Sequence, residues 1–223
     1  SEPAAPEPET HAETETAAPP SGRVHGVDTV VPESVGFASD RLAALDADYQ
    51  ALVDEGKLAG YVWLVSRHGQ IADFNTYGVT NYDTQAPMRH DTIFRIASMT
   101  KPVTGVAMMM LWEQGLWDLD DPVTDYIPEF ENLRVLDGMN EDGTPRLVDA
   151  NRPPTMREVM SHQAGFAYGL GGTDMANEAF RERRILREPD LDSFIDAVAD
   201  VPLLFQPGDD WYYSAAVDVQ GYI

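Results

Sequence analysis

The segment "FRIASMTKPVTGVAMMM", residues 94–110, limits the possible folds more than any other stretch of the chain. Met99, Val103, Val106, Ala107 and Met110 recur at helical spacing. Pro102 suits only a first helical turn, where its missing N–H breaks no hydrogen bond, and Gly115 closes the pattern. The chain is therefore expected to contain a helix that begins close to Ser98 and, with so apolar a surface, is largely buried. Residues three apart share a helix face, with Cβ atoms about 5–6 Å apart, so the Ser98 hydroxyl and the Lys101 amine can meet. A serine at a helix N-terminus also lies beside unpaired N–H groups and the positive end of the dipole, which favour negative charge developing nearby.

Lysine at 101 is informative because Lys57 and Lys101 are the only two lysines in the chain; every other basic side chain is arginine. Arginine would serve in a structural ion pair, but it does not release its proton. Lysine does when burial lowers its pKa. Lys101 therefore points to proton transfer. A Ser-x-x-Lys spacing alone arises about once by chance in a chain of this size; the apolar flanks and the scarcity of lysine lift this one above that background.

Around this segment the sequence reads as sheet elements followed by helices. Ser39 can cap a helix carrying Leu42, Leu45, Tyr49, Leu52 and Val53 on one face, with Gly56 at its C-terminal end. "YVWLVSRHGQIADFNTYG" (61–78) reads as a hairpin turning at Arg67, His68 and Gly69. From Gly115 to about residue 205 helical patterns and loops dominate, among them "TMREVMSH" (155–162) and "DLDSFIDAVADV", with no internal repeat. The expected class is α+β, an antiparallel sheet flanked by helices plus a helical subdomain. Residues 1–24 are rich in Pro, Ala, Glu and Thr and read as a disordered acidic tether.

Composition excludes several functions. With 38 acidic against 15 basic residues, a formal charge of −23 repels nucleic-acid phosphates and anionic lipid. No cysteine is present, so there is no thiolate nucleophile and no Cys-based metal site. The longest apolar run, Val106 to Trp112, is far short of the roughly 20 residues that span a bilayer. The chain begins at Ser1 and ends in "DVQGYI" with a helical pattern in progress, so it reads as a piece of a longer protein whose signal region, if any, lies upstream.

The stretch "DTIFRIASMTKPVTGVAMMMLWEQGLWDLDDPV" (91–123) closely resembles the nucleophile region of the serine β-lactamase-like family, which includes class C β-lactamases, D-Ala-D-Ala carboxypeptidases and family VIII carboxylesterases. "TMREVMSHQAGFAYG" (155–169) and "PGDDWYYSAAVDVQGYI" (207–223) follow in the family's order, and the similarity runs from about residue 33 to the end. The resemblance implies an acyl-enzyme serine hydrolase with Ser98 as nucleophile, Lys101 as base or electrostatic support, and Tyr213, in preference to Tyr212, completing the proton relay. A tyrosine can act as base when a neighbouring ammonium stabilises its phenolate, and the pair should titrate as a unit. It implies no cofactor and a small-molecule ester or β-lactam-like substrate. It also implies that residues 25–223 are the N-terminal portion of the domain, with 25–97 as its α/β part and 98–223 as nucleophile helix and helical subdomain, and that the protein is exported to periplasm, envelope or medium.

Two departures from the pattern matter. Where β-lactamases and peptidases usually place an asparagine that contacts the substrate amide, this chain has Ala215, which favours an esterase over a β-lactamase, a carboxypeptidase or a non-catalytic penicillin-binding-like envelope module. The family's third motif, which supplies one oxyanion-hole N–H, lies beyond Ile223 along with the C-terminal sheet strands, so these residues alone are expected to be a poor catalyst. His162 lacks a Gly-x-Ser-x-Gly elbow to form a triad, and the resemblance gives it a structural loop beside the site. His11, His25, His68 and His90 show no metal-ligand spacing. "YGLGGTD" (168–174) reads as a mobile loop near the cleft, and Asp118, Asp120 and Asp121 as turn and capping residues.

Overall fold

The structure, a computed structural model, describes residues 20–24 and 26–223, and the chain divides after Arg95 into two compact units. The first holds β1 (Pro20–Val24), β2 (Val27–Val30), α1 (Ser39–Asp54), β3 (Gly60–Arg67) and β4 (Gln70–Gly78), with sheet order β1-β2-β4-β3. The tether expected over residues 1–24 therefore gives way at Pro20 to a strand, because backbone pairing of β1 to β2 needs no apolar side chain; residues 1–19 lie outside the described ones.

The hairpin forms as expected. His68 and Gly69 have φ of 52° and 72°, the left-handed pair that a two-residue type I′ turn requires, and β3 pairs antiparallel with β4 from Gly60↔Gly78 to Arg67↔Gln70. One pairing departs from an all-antiparallel sheet: β2 meets β4 in parallel at Thr29↔Ile71, which is possible because α1 and β3 intervene and provide the crossover. Glu33, not Ser39, caps α1, its carboxylate accepting the Ser39 N–H at 2.8 Å and hydroxyl at 2.9 Å. The apolar core of this unit is small, Val30, Val35 and Ala72 with Phe37 against them. Tyr49, Tyr61 and Trp63 add a ring cluster with centroids 5.4–5.9 Å apart.

The second unit holds α2 (Lys101–Glu113), β5 (Arg134–Met139), β6 (Pro145–Asp149), α3 (Met156–Met160), α4 (Met175–Glu182), α5 (Leu191–Ala199) and α6 (Ala216–Gln220). Its core is built on Val123, Ile127, Phe130, Phe166, Ile195 and Leu203, with the Phe130 and Phe166 rings 5.3 Å apart. Short helices here depend on their caps. Thr155 and Glu158 form a reciprocal capping box on α3, while Asp174 and Asp190 cap α4 and α5.

Helices and loops dominate from Gly115 to about residue 205, as expected, with one addition: β5 and β6 form an antiparallel hairpin from Arg134↔Asp149 to Met139↔Pro145. Its turn is set locally, Asp142 Oδ1 accepting from the Thr144 N–H and hydroxyl. One expectation fails: among the described residues α2 is not largely buried. Met108 is its one buried residue, whereas Met99, Val103, Val106 and Met110 are 57–71% exposed. Amphipathic spacing fixes which face is apolar but not whether anything covers it. No helix among the described residues is long and apolar enough to cross a membrane.

Candidate active site

Ser98 lies in a 3₁₀ turn, Ala97–Thr100, that leads directly into α2, with Pro102 in the first α-helical turn. The residue before it, Ala97, has φ 46°, a left-handed conformation that is costly for a side chain with a Cβ and is found where neighbours hold the backbone in place. The turn presents Ser98 to solvent and directs Lys101 inward.

Lys101 is the hub. Its Nζ donates to the Tyr168 hydroxyl at 3.0 Å and lies 4.9 Å from the Tyr168 ring centre and 5.0 Å from that of Tyr213. The two rings meet edge to face, 5.6 Å apart. Burial pulls the Lys101 pKa down, but hydrogen bonds to Tyr168 and Tyr213 and the nearby Asp218 charge outweigh it, and the net shift is upward. The expectation that burial would free a neutral amine is therefore corrected, because the electron-rich oxygens around Lys101 favour the ammonium. The Tyr213 pKa is lowered, first by the hydrogen bond from Ser98, with the Lys101 bond and charge adding to it and burial and Asp218 opposing.

Structure thus brings Ser98, Lys101 and Tyr213 together and adds Tyr168 and Asp218. Tyr168 escaped sequence reasoning because 67 residues separate it from Lys101, although it ends the motif "SHQAGFAY" that carries His162. Asp218 is half-buried and one carboxylate oxygen has no hydrogen-bond partner, so burial raises its pKa while Lys101 opposes the rise. An open cleft of about 640 Å³ passes over Ser98 and Tyr213, walled by Met99, Pro102, Met160 and Trp211. Ala215 is fully buried and gives this cleft no polar group.

The supports of the site are all in the second unit. Arg152 grips both Glu158 carboxylate oxygens, at 2.8 and 2.6 Å, and the Pro207 carbonyl at 3.0 Å, tying the segment that carries Tyr213 to α3. In the glycine-rich 168–174 segment, Asn177 Oδ1 accepts the Tyr168 and Gly169 N–H groups, and Arg181 donates to the Gly172 carbonyl. Gly165 has φ 87°, and a Cβ there would stand 2.6 Å from the Phe205 carbonyl, so only glycine fits the bend before Tyr168. Among the described residues no group of three or more His, Asp or Glu side chains could hold a metal.

Comparison with known proteins places the chain. A β-lactamase family profile matches residues 45–223. Esterase EstB of Burkholderia gladioli is 35% identical over 190 residues, covering 83% of this chain and 45% of EstB. Lovastatin esterase of Penicillium rubens is 27% identical over 188 residues, 80% of this chain and 45% of that protein. Among solved structures, EstCE1, a hydrolase with promiscuous acyltransferase activity, superposes with a TM-score of 0.66 at 29% identity, covering 81% of this chain and 45% of that one. The chain thus spans a little under half the length of the relatives it matches. With three motifs in order, the β-lactamase/transpeptidase-like fold and the profile match, the chain belongs to the β-lactamase family.

Proposed function

We propose that the protein is a serine hydrolase that works through an acyl-enzyme and acts on small carboxylic esters. The observation that carries this reading is the Lys101 ammonium bonded to the Tyr168 hydroxyl and lying 5.0 Å from the Tyr213 ring centre, with Ser98 and Tyr213 lining the same cleft. Ser98 Oγ attacks the ester carbonyl while its proton passes to the Tyr213 oxygen, whose negative charge Lys101 stabilises. Tyr213 then returns that proton to the departing alcohol oxygen. Water enters, gives a proton to Tyr213 as it attacks the acyl carbon, and Ser98 leaves with the proton restored. The positive turn at the N-terminal end of α2 favours the oxyanion. An ester is preferred to a β-lactam or peptide because Ala215 offers no amide donor. Acyl transfer to an alcohol in place of water is a second reading, supported by the acyltransferase activity of EstCE1.

The test is intact mass after exposure to a fluorophosphonate, on the protein at full natural length and on Ser98→Ala. A single adduct that disappears in Ser98→Ala is expected. A folded protein that takes no adduct, or an adduct that survives the substitution, would overturn the assignment.

A further inference from the structure

The chain around Tyr213 hangs on a residue that the proposed reaction does not use. The Tyr212 N–H donates to the His162 carbonyl at 3.1 Å, and the Ser214 N–H donates to His162 Nδ1, also at 3.1 Å. One residue therefore anchors both neighbours of Tyr213. The imidazole also lies on the Tyr213 ring, with centroids 5.0 Å apart and planes at 33°, and meets Trp211 edge on at 6.1 Å. His162 itself has φ 62°, a conformation a histidine adopts at a cost and keeps only where its surroundings fix it.

We infer that His162 is a positioning residue for Tyr213, and that it holds the tyrosine against Ser98 and Lys101 only while Nδ1 is free to accept the Ser214 N–H. A backbone N–H donor requires a lone pair on Nδ1, so the ring proton resides on Nε2. Ser214 Oγ is 3.1 Å from the same nitrogen and accepts from the Ala216 N–H at 3.3 Å, which carries the linkage into α6. A proton on Nδ1 would leave the Ser214 N–H, in a residue 1% exposed, without its acceptor, and the segment would have to move.

The titratable groups facing the ring are Lys101 from α2 and Tyr213 from the segment it holds. Asp210, on that segment, is engaged by the Trp211 N–H, and Glu158 of α3 is paired with Arg152. Burial, then the Lys101 charge, keeps the His162 pKa below its ordinary value, consistent with a neutral ring at neutral pH. Activity should therefore fall on the acid side as the ring gains its proton.

This inference rests on Tyr213 as the proton carrier. The test is kcat/KM for p-nitrophenyl butyrate against pH, on the protein at full natural length and on His162→Ala, His162→Asn and Tyr213→Phe, with thermal melts alongside. Asparagine places an acceptor oxygen where Nδ1 stands, tolerates the left-handed backbone and does not titrate. His162→Ala should lose about a hundredfold on the plateau, the low end of what a misplaced proton carrier forfeits. His162→Asn should recover at least about tenfold of that and lose the steeper, ring-dependent part of the acid-side fall, keeping only the rise set by Tyr213 ionisation. Wild-type kinetics in His162→Ala, or an unchanged acid-side fall in His162→Asn, would overturn the inference. If His162→Ala does not fold, the His162→Asn profile decides alone. Full activity in Tyr213→Phe would instead refute Tyr213 as the proton carrier on which the inference rests.

Discussion

Replacing Lys101 separates two ways a lysine can serve a serine nucleophile. If Lys101 acts as a fixed ammonium, its removal costs the electrostatic support of the Tyr213 phenolate. The phenolate charge spreads over oxygen and ring, so the 5.0 Å from Nζ to the ring centre is a fair separation. At that distance opposite unit charges attract by about 3 kcal/mol at an effective dielectric near 20 and by under about 1 kcal/mol in bulk water. The cleft is open on one side, so an intermediate figure of about 2 kcal/mol applies, or roughly thirtyfold in rate. If Lys101 instead takes the serine proton itself, loss of a general base costs about 10²–10⁴-fold, and an arginine cannot replace it. The assay is kcat/KM for Lys101→Met and Lys101→Arg in the full-length protein. The upward-shifted Lys101 pKa predicts a roughly thirtyfold loss in Lys101→Met, partial recovery in Lys101→Arg, and an alkaline displacement of the activity profile in Lys101→Met as the phenolate loses its partner. A loss beyond about 10³-fold that is equal in both variants would refute the ammonium argument and return the proton to the lysine.

Asp218→Asn should move the rising limb of the activity profile to lower pH, because the carboxylate opposes ionisation of Tyr213; a limb that stays in place would mean Asp218 is electrically silent there. Glu158→Gln should destabilise the fold by about 1–3 kcal/mol at pH 7, since it breaks a half-buried ion pair with Arg152 while leaving the capping box an acceptor, read as a lower urea midpoint. Burial raises the Glu158 pKa, yet the Arg152 and Thr155 hydrogen bonds outweigh it and the net shift is downward. The carboxylate's contribution is thus complete above its unfolded pKa and disappears as pH falls through the folded one. Wild type and variant should therefore converge in strongly acid solution.

Local chemistry made much of the protein legible in sequence: the His68–Gly69 turn, the helical pattern that opens at Thr155, and the placement of Ser98, Lys101 and Pro102 on one helical start. What escaped depends on contacts between distant residues. Tyr168 has no sequence relation to Lys101 that spacing could reveal. The β5–β6 hairpin is held by a short polar turn inside a segment whose neighbours are helical. Burial of α2 was inferred from an apolar face, but burial belongs to a pair of surfaces, and sequence describes only one of them. The direction of the Lys101 shift was misjudged for a related reason: burial alone lowers a lysine pKa, and only the tyrosine hydroxyls and Asp218 around it reverse the sign.

The pairing of Lys101 with Pro102 at the start of α2 also has a consequence at the bench. A lysine-specific protease hydrolyses the bond after lysine but not one whose next residue is proline, and the pyrrolidine here is further locked into a helical turn. Within these 223 residues Lys57, with its side chain 64% exposed just beyond α1, is thus left as the one cleavable lysine. A single cut would keep Ser98, Lys101, His162, Tyr168 and Tyr213 together on one peptide, so any covalent label on the site could be weighed and sequenced on a single fragment.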